Sequence, residues 1–283
     1  MKRTHGFTLV EMIITIVLVG IVGAILTLQI KPALQSYQSV ARRANLVNQA
    51  DTAIKRMVTD VRSAVPNSLN MTATPAGICM EMVPTVAGGR YRVEPDTTNP
   101  DASRAYDPGA TDKVFDVLTA LPNVARGDIV VIGNQSTDDL YKTRSNMAPI
   151  KAMTAPDASI GVVRVELETS APFSARDDGA RFVVVPQNQQ VVGYLCAGGN
   201  GRLAGGDGKG TLLRTVRKLT DPGQCPTAGT PAVVASKVAD CGFVYRESEG
   251  ATQQSGYLQL RLGLANGDES VTLTAGAHVE NVP

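Results

Sequence analysis

A single carboxylate, Glu11, interrupts a largely apolar run of 24 residues from Phe7 to Ile30. That run constrains the chain more than any other feature in it. As an α-helix rising about 1.5 Å per residue it reaches roughly 36 Å, enough to cross a hydrocarbon layer of roughly 30 Å with some tilt. A charged residue at the centre of such a helix costs roughly 2.5–3.5 kcal/mol on insertion scales, so Glu11 needs a partner. No basic residue lies within the run. The partner is therefore expected from another molecule or from a new chain end.

The residues before the run point to such an end. Lys2 and Arg3 precede Gly6, and Gly6-Phe7-Thr8-Leu9-Val10-Glu11 resembles the processing site of class III leaders, those of type IV prepilin-like proteins. The resemblance implies that a membrane-embedded prepilin peptidase cuts after Gly6 and methylates the new amino terminus, Phe7. It also implies that the Phe7 amine of one subunit is neutralised by Glu11 of its neighbour when the helices stack into a filament. An opposite charge favours the ionised carboxylate and lowers the cost of burying it. Two plainer readings compete. A secretory signal peptide has an apolar core of about 7–15 residues and a small-x-small cleavage site, whereas this run is longer and ends at Lys31-Pro32. A plain signal anchor leaves Glu11 without a role.

After this segment the 283-residue chain, 43% hydrophobic, has enough material for one sizeable core. Aromatic residues make up only 4% and Trp is absent, which argues against an aromatic-lined sugar or nucleic-acid platform. Removing Lys2 and Arg3 from the 27 basic side chains leaves 25 against 26 acidic ones. A chain near neutrality carries no electrostatic footprint for phosphate backbones, so no nucleic-acid partner is expected. A local basic patch such as Arg214, Arg217 and Lys218 runs against this.

The charges flanking the apolar run do not orient it, because Lys2 and Arg3 on one side face Lys31, Arg42 and Arg43 on the other. The cysteines are more informative. Cys79, Cys196, Cys225 and Cys241 all follow the run, at intervals of 117, 29 and 16 positions, which match no Cys-x-x-Cys metal or redox pattern. Two disulfides in an oxidising compartment outside the cytoplasmic membrane are expected. Three pairings are possible, and short loop closure leans towards Cys225 with Cys241 and Cys79 with Cys196.

From Ala33 to Val65 there is neither glycine nor proline. Val47, Ala50, Ile54, Met57, Val58, Val61 and Val65 recur mostly at intervals of three and four, the mark of one apolar helical face. Arg43, Asn48, Lys55, Thr59 and Arg62 fall largely away from it. Pro32 is expected to bend the helix at the membrane edge, and Gly20 and Gly23 weaken it by roughly 1 kcal/mol each relative to alanine. The two glycines permit close helix packing, or simply reflect the frequency of glycine in membrane helices. Pro66-Asn67-Ser68 ends the helix. Strands are expected over 78–83, 90–93, 128–132, 161–167, 181–185, 242–245, 257–262 and 270–274, with 190–196 and 210–216 forming a hairpin around Gly198-Gly199-Asn200-Gly201. The stretch from Pro95 to Gly109 reads as a long polar loop. The fold expected is α+β, a long amino-terminal helix with its first half transmembrane, packed on an antiparallel β-sheet. The divisions are a leader over 1–6, a transmembrane and assembly helix over 7–31, its periplasmic continuation over 32–66, and a β-rich domain over 67–283.

Catalysis, metals and cofactors find no support in the sequence. Of two histidines, His5 lies in the leader, and His278 alone builds no multi-histidine site. No serine has a nucleophile motif around it. Asp138-Asp139 and Asp177-Asp178 lack a calcium-loop pattern and read as solvated turns. The glycine clusters at 198–201 and 205–208 open no Gly-Lys-Ser/Thr helix and read as turns.

Further segments narrow the resemblance. Arg42-Arg43-Ala44, Asp51-Thr52-Ala53 and Arg56-Met57 within 37–68, Val83-Pro84-Thr85-Val86-Ala87-Gly88-Gly89-Arg90-Tyr91-Arg92, and the closing His278-Val279-Glu280-Asn281-Val282-Pro283 are similar to minor pilins of mannose-sensitive haemagglutinin pili. This implies a pilin-like fold and a subunit that helps start a filament or sits at its tip. The implied partners are other pilin subunits, the prepilin peptidase, the inner-membrane assembly platform and the membrane. It further implies a single-pass inner-membrane protein with a periplasmic carboxy-terminal domain before assembly, and a place on the pilus surface afterwards. A minor pseudopilin of a type II secretion system shares the same leader, helix and sheet. A membrane-anchored enzyme or binding protein with a pilin-like start is the third class.

Overall fold

The computed structural model describes residues 6–111, 113–168, 177–219, 231–247 and 255–280. Among the described residues one α-helix, α1 (Leu9–Arg62), is followed by thirteen strands and, between the fifth and sixth of them, a short π-helical turn, Asp139–Thr143. These are β1 (Asn70–Thr74), β2 (Gly77–Met82), β3 (Ala87–Arg90), β4 (Val114–Val117), β5 (Ile129–Val131), β6 (Met147–Thr154) and β7 (Val163–Leu167). Then come β8 (Arg181–Val185), β9 (Val191–Ala197), β10 (Gly210–Arg217), β11 (Ala232–Arg246), β12 (Ser255–Asn266) and β13 (Glu269–Glu280). The arrangement is α+β: a long amino-terminal helix packed on antiparallel sheet.

α1 runs without interruption through Pro32 and ends where the Ser63 amide turns back to the carbonyls of Thr59 and Val61. Its first buried residue is Leu46. From there Leu46, Ala50, Ala53, Ile54, Met57 and Val61 form the covered face. That face is turned slightly from the expected one, since Leu46 and Ala53 join it while Val47 stays 38% exposed. Each large apolar side chain buried here contributes about 1.5–3 kcal/mol.

The partner of this face is a seven-stranded sheet in the order β1-β2-β9-β10-β11-β12-β13. α1 lies over its β11–β13 end. β12 presents Leu258, Leu260, Leu262 and Leu264 to the helix as a fully buried row, the period-two pattern of a strand with one face in a core. The helix is also pinned by charge. Asp60 accepts hydrogen bonds from the Tyr194 hydroxyl on β9 at 2.6 Å and from Arg214 Nε on β10 at 2.9 Å.

β2 and β9 are neighbours in this sheet, with Met82 opposite Val192. Between them the chain leaves to build six further strands in the order β3-β8-β5-β6-β7-β4. The two outer strands meet. Leu118 N donates to Arg90 O and Arg92 N donates to Asp116 O, both at 2.9 Å, around an antiparallel bridge between Tyr91 and Val117. The six strands therefore close on themselves as a small barrel. Its interior is filled by Tyr91, Tyr106, Phe115 and Phe182, with the Tyr91–Tyr106, Tyr106–Phe115 and Phe115–Phe182 ring centroids 4.9, 5.5 and 5.9 Å apart. Tilted and edge-to-face rings pack the centre as a core. Outside it, the polar 95–109 loop is held by buried Asp116, which takes Arg164 Nε at 2.7 Å and Nη2 at 3.0 Å together with the Arg104 amide at 2.7 Å.

Barrel and sheet share a joint. Val65, Val83, Ile129, Val131, Leu140, Tyr141, Val185, Val191 and Leu219 form one apolar cluster across it. Beside them Arg217 binds Glu81 Oε1 through Nε at 3.2 Å and Nη2 at 3.0 Å, and both side chains are almost fully buried. Asn134 Nδ2 donates to Pro66 O at 2.7 Å, and Tyr141 donates to Ser68 O at 3.2 Å, so the residues just past α1 are fastened to the barrel.

Several expectations need correction. β1, β4 and β6 were not anticipated, and β11 spans Ala232–Arg246 rather than 242–245. β3 ends at Arg90, because Tyr91 turns inward to the barrel bridge. The local basic cluster does not exist as a patch: Arg214 is tied to Asp60 and Arg217 is buried against Glu81. The disulfide is different as well. Cys196 is bonded to Cys241, with Cα atoms 6.0 Å apart, which overturns the leaning towards Cys225–Cys241 and Cys79–Cys196. Cys241 lies past Val238, where the pairing of β11 with β10 starts, and beside the β9–β10 loop, whose Gly201 amide donates to Ala239 O and whose Asn200 accepts the Cys241 amide, so it meets Cys196 near the end of β9 across a sequence separation of 45. Short loop length was the wrong guide because sheet neighbourhood brings distant positions together. Cys79 is disulfide-bonded too, and Cys225 lies outside the described residues.

Candidate processing and assembly site

The site is built at the start of α1. Gly6, Phe7 and Thr8 precede the helix, and Thr8 is extended at φ −79°, ψ 151°. Thr8 caps the helix: its Oγ1 accepts the Glu11 amide at 3.3 Å, and its carbonyl accepts the Met12 amide at 3.2 Å. The first amides of a helix have no partner within it, so a threonine here satisfies a donor that the membrane interior would leave bare. The Gly6-Phe7 bond thus lies just ahead of the helix, in exposed backbone outside any helix or strand.

Glu11 stands in the first turn, where the positive end of the helix dipole favours a negative side chain. The capped helix start stabilises the carboxylate in part, and no described basic side chain forms an ion pair with it. Sequence reasoning passed over Thr8, although Thr-x-x-Glu ahead of an apolar run is the signature of a helix start. Lys2 and Arg3 lie outside the described residues.

From Phe7 through Ile30 every residue is exposed, including Phe7 at 73% and Leu9 at 76%. The helix is long and apolar enough in this part to cross a membrane, and none of that stretch is covered by the chain's own domain. A Cβ added at Gly20 or Gly23 would meet nothing within 4 Å, so within one chain neither glycine serves a close contact. Thr15 and Thr27 turn their hydroxyls back to the carbonyls of Met12 and Gly23, at 2.9 and 2.7 Å, which keeps them compatible with an apolar surround.

The other candidates scatter. His278 is on the outer face of β13 against Tyr257, with ring centroids 5.5 Å apart. Asp138 pairs with Lys142, and Asp139 opens a single π turn and accepts the Ser136 amide at 3.0 Å. Asp177 binds Arg181. Among the described residues no group of three or more His, Cys, Asp or Glu side chains is placed to hold a metal ion. Asn200, in the glycine-rich β9–β10 loop, accepts the Cys241 amide at 3.0 Å and so locks the loop beside the disulfide.

No curated protein and no solved structure matches the chain. Residues 1–27, which hold the Gly6-Phe7 junction, Glu11 and most of the apolar run, match the family described as Prokaryotic N-terminal methylation motif.

Proposed function

We propose that the chain is a pilin-like filament subunit with no catalytic role. It is cut after Gly6 by a prepilin peptidase, methylated on Phe7, and assembled through the helix that starts at Leu9. The finer reading is a minor pilin, similar to MshO, that takes part in initiation or tip assembly of a mannose-sensitive haemagglutinin-like type IV pilus. Its domain is periplasmic before assembly and surface-exposed afterwards. The observation that carries the proposal is the capped helix start: an exposed Gly6-Phe7 bond ahead of it, Glu11 in the first turn, and an apolar stretch exposed from Phe7 to Ile30, most of it inside the methylation-motif match. A neighbouring subunit's methylated amine, held near Glu11, replaces the missing in-chain cation and lowers the cost of burying both charges.

The test is the intact mass and amino-terminal sequence of the filament-associated protein. N-methylated Phe7 is the expected start. An unprocessed Met1, or cleavage near Lys31, overturns the proposal. Deleting the gene distinguishes pilus from secretion pseudopilus: loss of surface filaments supports the first, and loss of exoprotein export with intact filaments moves the chain to the second.

A further inference from the structure

Among the described residues the sheets leave one long open edge. The barrel has none, because its outer strands are joined at Tyr91–Val117. At the other end of the main sheet, β1 is only five residues long. β13 is twelve residues long, and among the described residues no strand pairs with its far side. Natural sheets usually guard such an edge with a lysine, a proline, a bulge or shortness. β13 has none of these. Its pairing with β12 is unbroken from Asn266–Glu269 to Ser255–Glu280, and the ten residues Ser270–Val279 include no Asp, Glu, Lys, Arg or Pro.

The register says which groups are free. A two-residue turn, Gly267-Asp268, joins Asn266 to Glu269. The pair closing such a turn exchanges both backbone bonds, and every second pair along an antiparallel ladder does the same. The backbone groups of Val271, Leu273, Ala275, Ala277 and Val279 are thereby used on β12. Those of Ser270, Thr272, Thr274, Gly276 and His278 point away from the sheet. The apolar row is also unfinished: Val271, Leu273 and Ala275 are only partly buried against the core, whereas Ala277 and Val279 are buried. A further strand would cover them. Gly276 is required at its position because the Tyr257 ring lies across it, which leaves this edge flat.

We propose that the free edge of β13 is a strand-addition site that takes an extended segment of a different protein chain, about ten uncharged residues bracketed by basic ones. Charge selects that occupant over a second copy. Asp268 and Glu269 stand at one end of β13 and Glu280 at the other. Pairing through the outward-pointing residues, an antiparallel copy with Ser270 opposite His278 has Asp268 opposite Glu280, and a parallel copy offset by one residue has Asp268 opposite Glu269. Like charges directly opposite destabilise a pair, whereas opposite charges stabilise it. The inference does not depend on the cleavage site.

The test is amide hydrogen exchange on the full chain in detergent, with a synthetic peptide of about ten alternating Thr and Val residues between paired lysines. Without peptide, the amides of Ser270, Thr272, Thr274, Gly276 and His278 should exchange faster than those of their odd-numbered neighbours. With peptide they should slow about tenfold or more. A Thr274→Pro variant keeps the β12 ladder, because proline is tolerated where the N–H faces out, and should lose the protection. A peptide with alternate backbone amides methylated, or with glutamates in place of the lysines, should give none. Outward amides already protected in the free chain, protection unaffected by Thr274→Pro, equal protection by the glutamate-flanked peptide, or a concentration-dependent dimer that protects the edge would each overturn the proposal.

Discussion

Asp60 on α1 accepts the hydroxyl of Tyr194 on β9 at 2.6 Å, although 134 residues separate them. Arg214 on β10 completes the contact from the next strand. One carboxylate therefore fixes the rotation of the helix over the sheet. Asp60→Ala leaves a largely buried guanidinium and a buried phenol without their acceptor, and is expected to cost about 2–3 kcal/mol, in the range of hydrogen bonds to charged groups. Urea denaturation of the detergent-solubilised chain followed by circular dichroism measures it. A loss indistinguishable from that of an exposed Asp51→Ala control would show that the apolar face alone sets the helix.

Alkaline stability follows from the same tyrosine and from Tyr141. Burial pushes both phenols well above the ordinary tyrosine value of 10.0, helped by the Asp60 hydrogen bond at Tyr194 and by nearby Glu81 at Tyr141. The folded state then holds protons that the unfolded state releases. The stabilisation is fully present below about pH 10 and is lost as pH rises above it, by up to about 1.4 kcal/mol per pH unit per tyrosine. Absorbance at the phenolate band should show at least two of the seven tyrosines, Tyr141 and Tyr194 among them, ionising only as the protein unfolds. Smooth ionisation of all seven before any loss of structure would contradict this.

Non-reducing peptide mapping should return a Cys196–Cys241 linked peptide. With four cysteines in the chain, the same map should link Cys79 to Cys225. Replacing Cys196 and Cys241 together by serine is expected to destabilise the domain by about 2–4 kcal/mol, since the bond closes a loop of 45 residues. A Cys225–Cys241 peptide from native envelope would contradict the sheet arrangement itself.

Glu11→Ala should leave the precursor inserted, because the helix becomes more apolar, and still cut, because Gly6 and Phe7 remain. Filament incorporation should fall, since breaking one partner of a buried pair typically costs about 3–5 kcal/mol. Thr8→Ala removes only the cap and should cost about 1 kcal/mol at the helix start. The ratio of each variant in sheared filaments to that in the inner membrane reads both effects. Incorporation of Glu11→Ala equal to wild type would remove the carboxylate from the assembly contact.

The parts of the fold that were legible in the sequence are those with local causes. The apolar run, the Ala50-Ile54-Met57-Val61 face and the β9–β10 hairpin each follow from periodicity or a glycine-rich turn. Barrel closure did not show, because it rests on Arg90 and Arg92 meeting Leu118 and Asp116, which no pattern in either segment announces. β4 was hidden for a related reason. Val114-Phe115-Asp116-Val117 is short and broken by a charge, and only the ion pair with Arg164 lets Asp116 be buried. At the candidate site Gly6, Phe7 and Glu11 stood out by type and spacing. Thr8 had a signal that went unused.

The place where the barrel joins the sheet sets what is free to vary. Met82 and Val192 face each other on adjacent strands, so everything between them departs and returns at a single doorway. The sheet is a carrier and the barrel its passenger. A shorter, longer or wholly different passenger could be grafted between β2 and β9 without shifting one strand register of the carrier, provided that Val83 and Val191 still found an apolar lid. The outer face of the barrel can therefore change by replacement, while the long helix and the sheet beneath it stay the same.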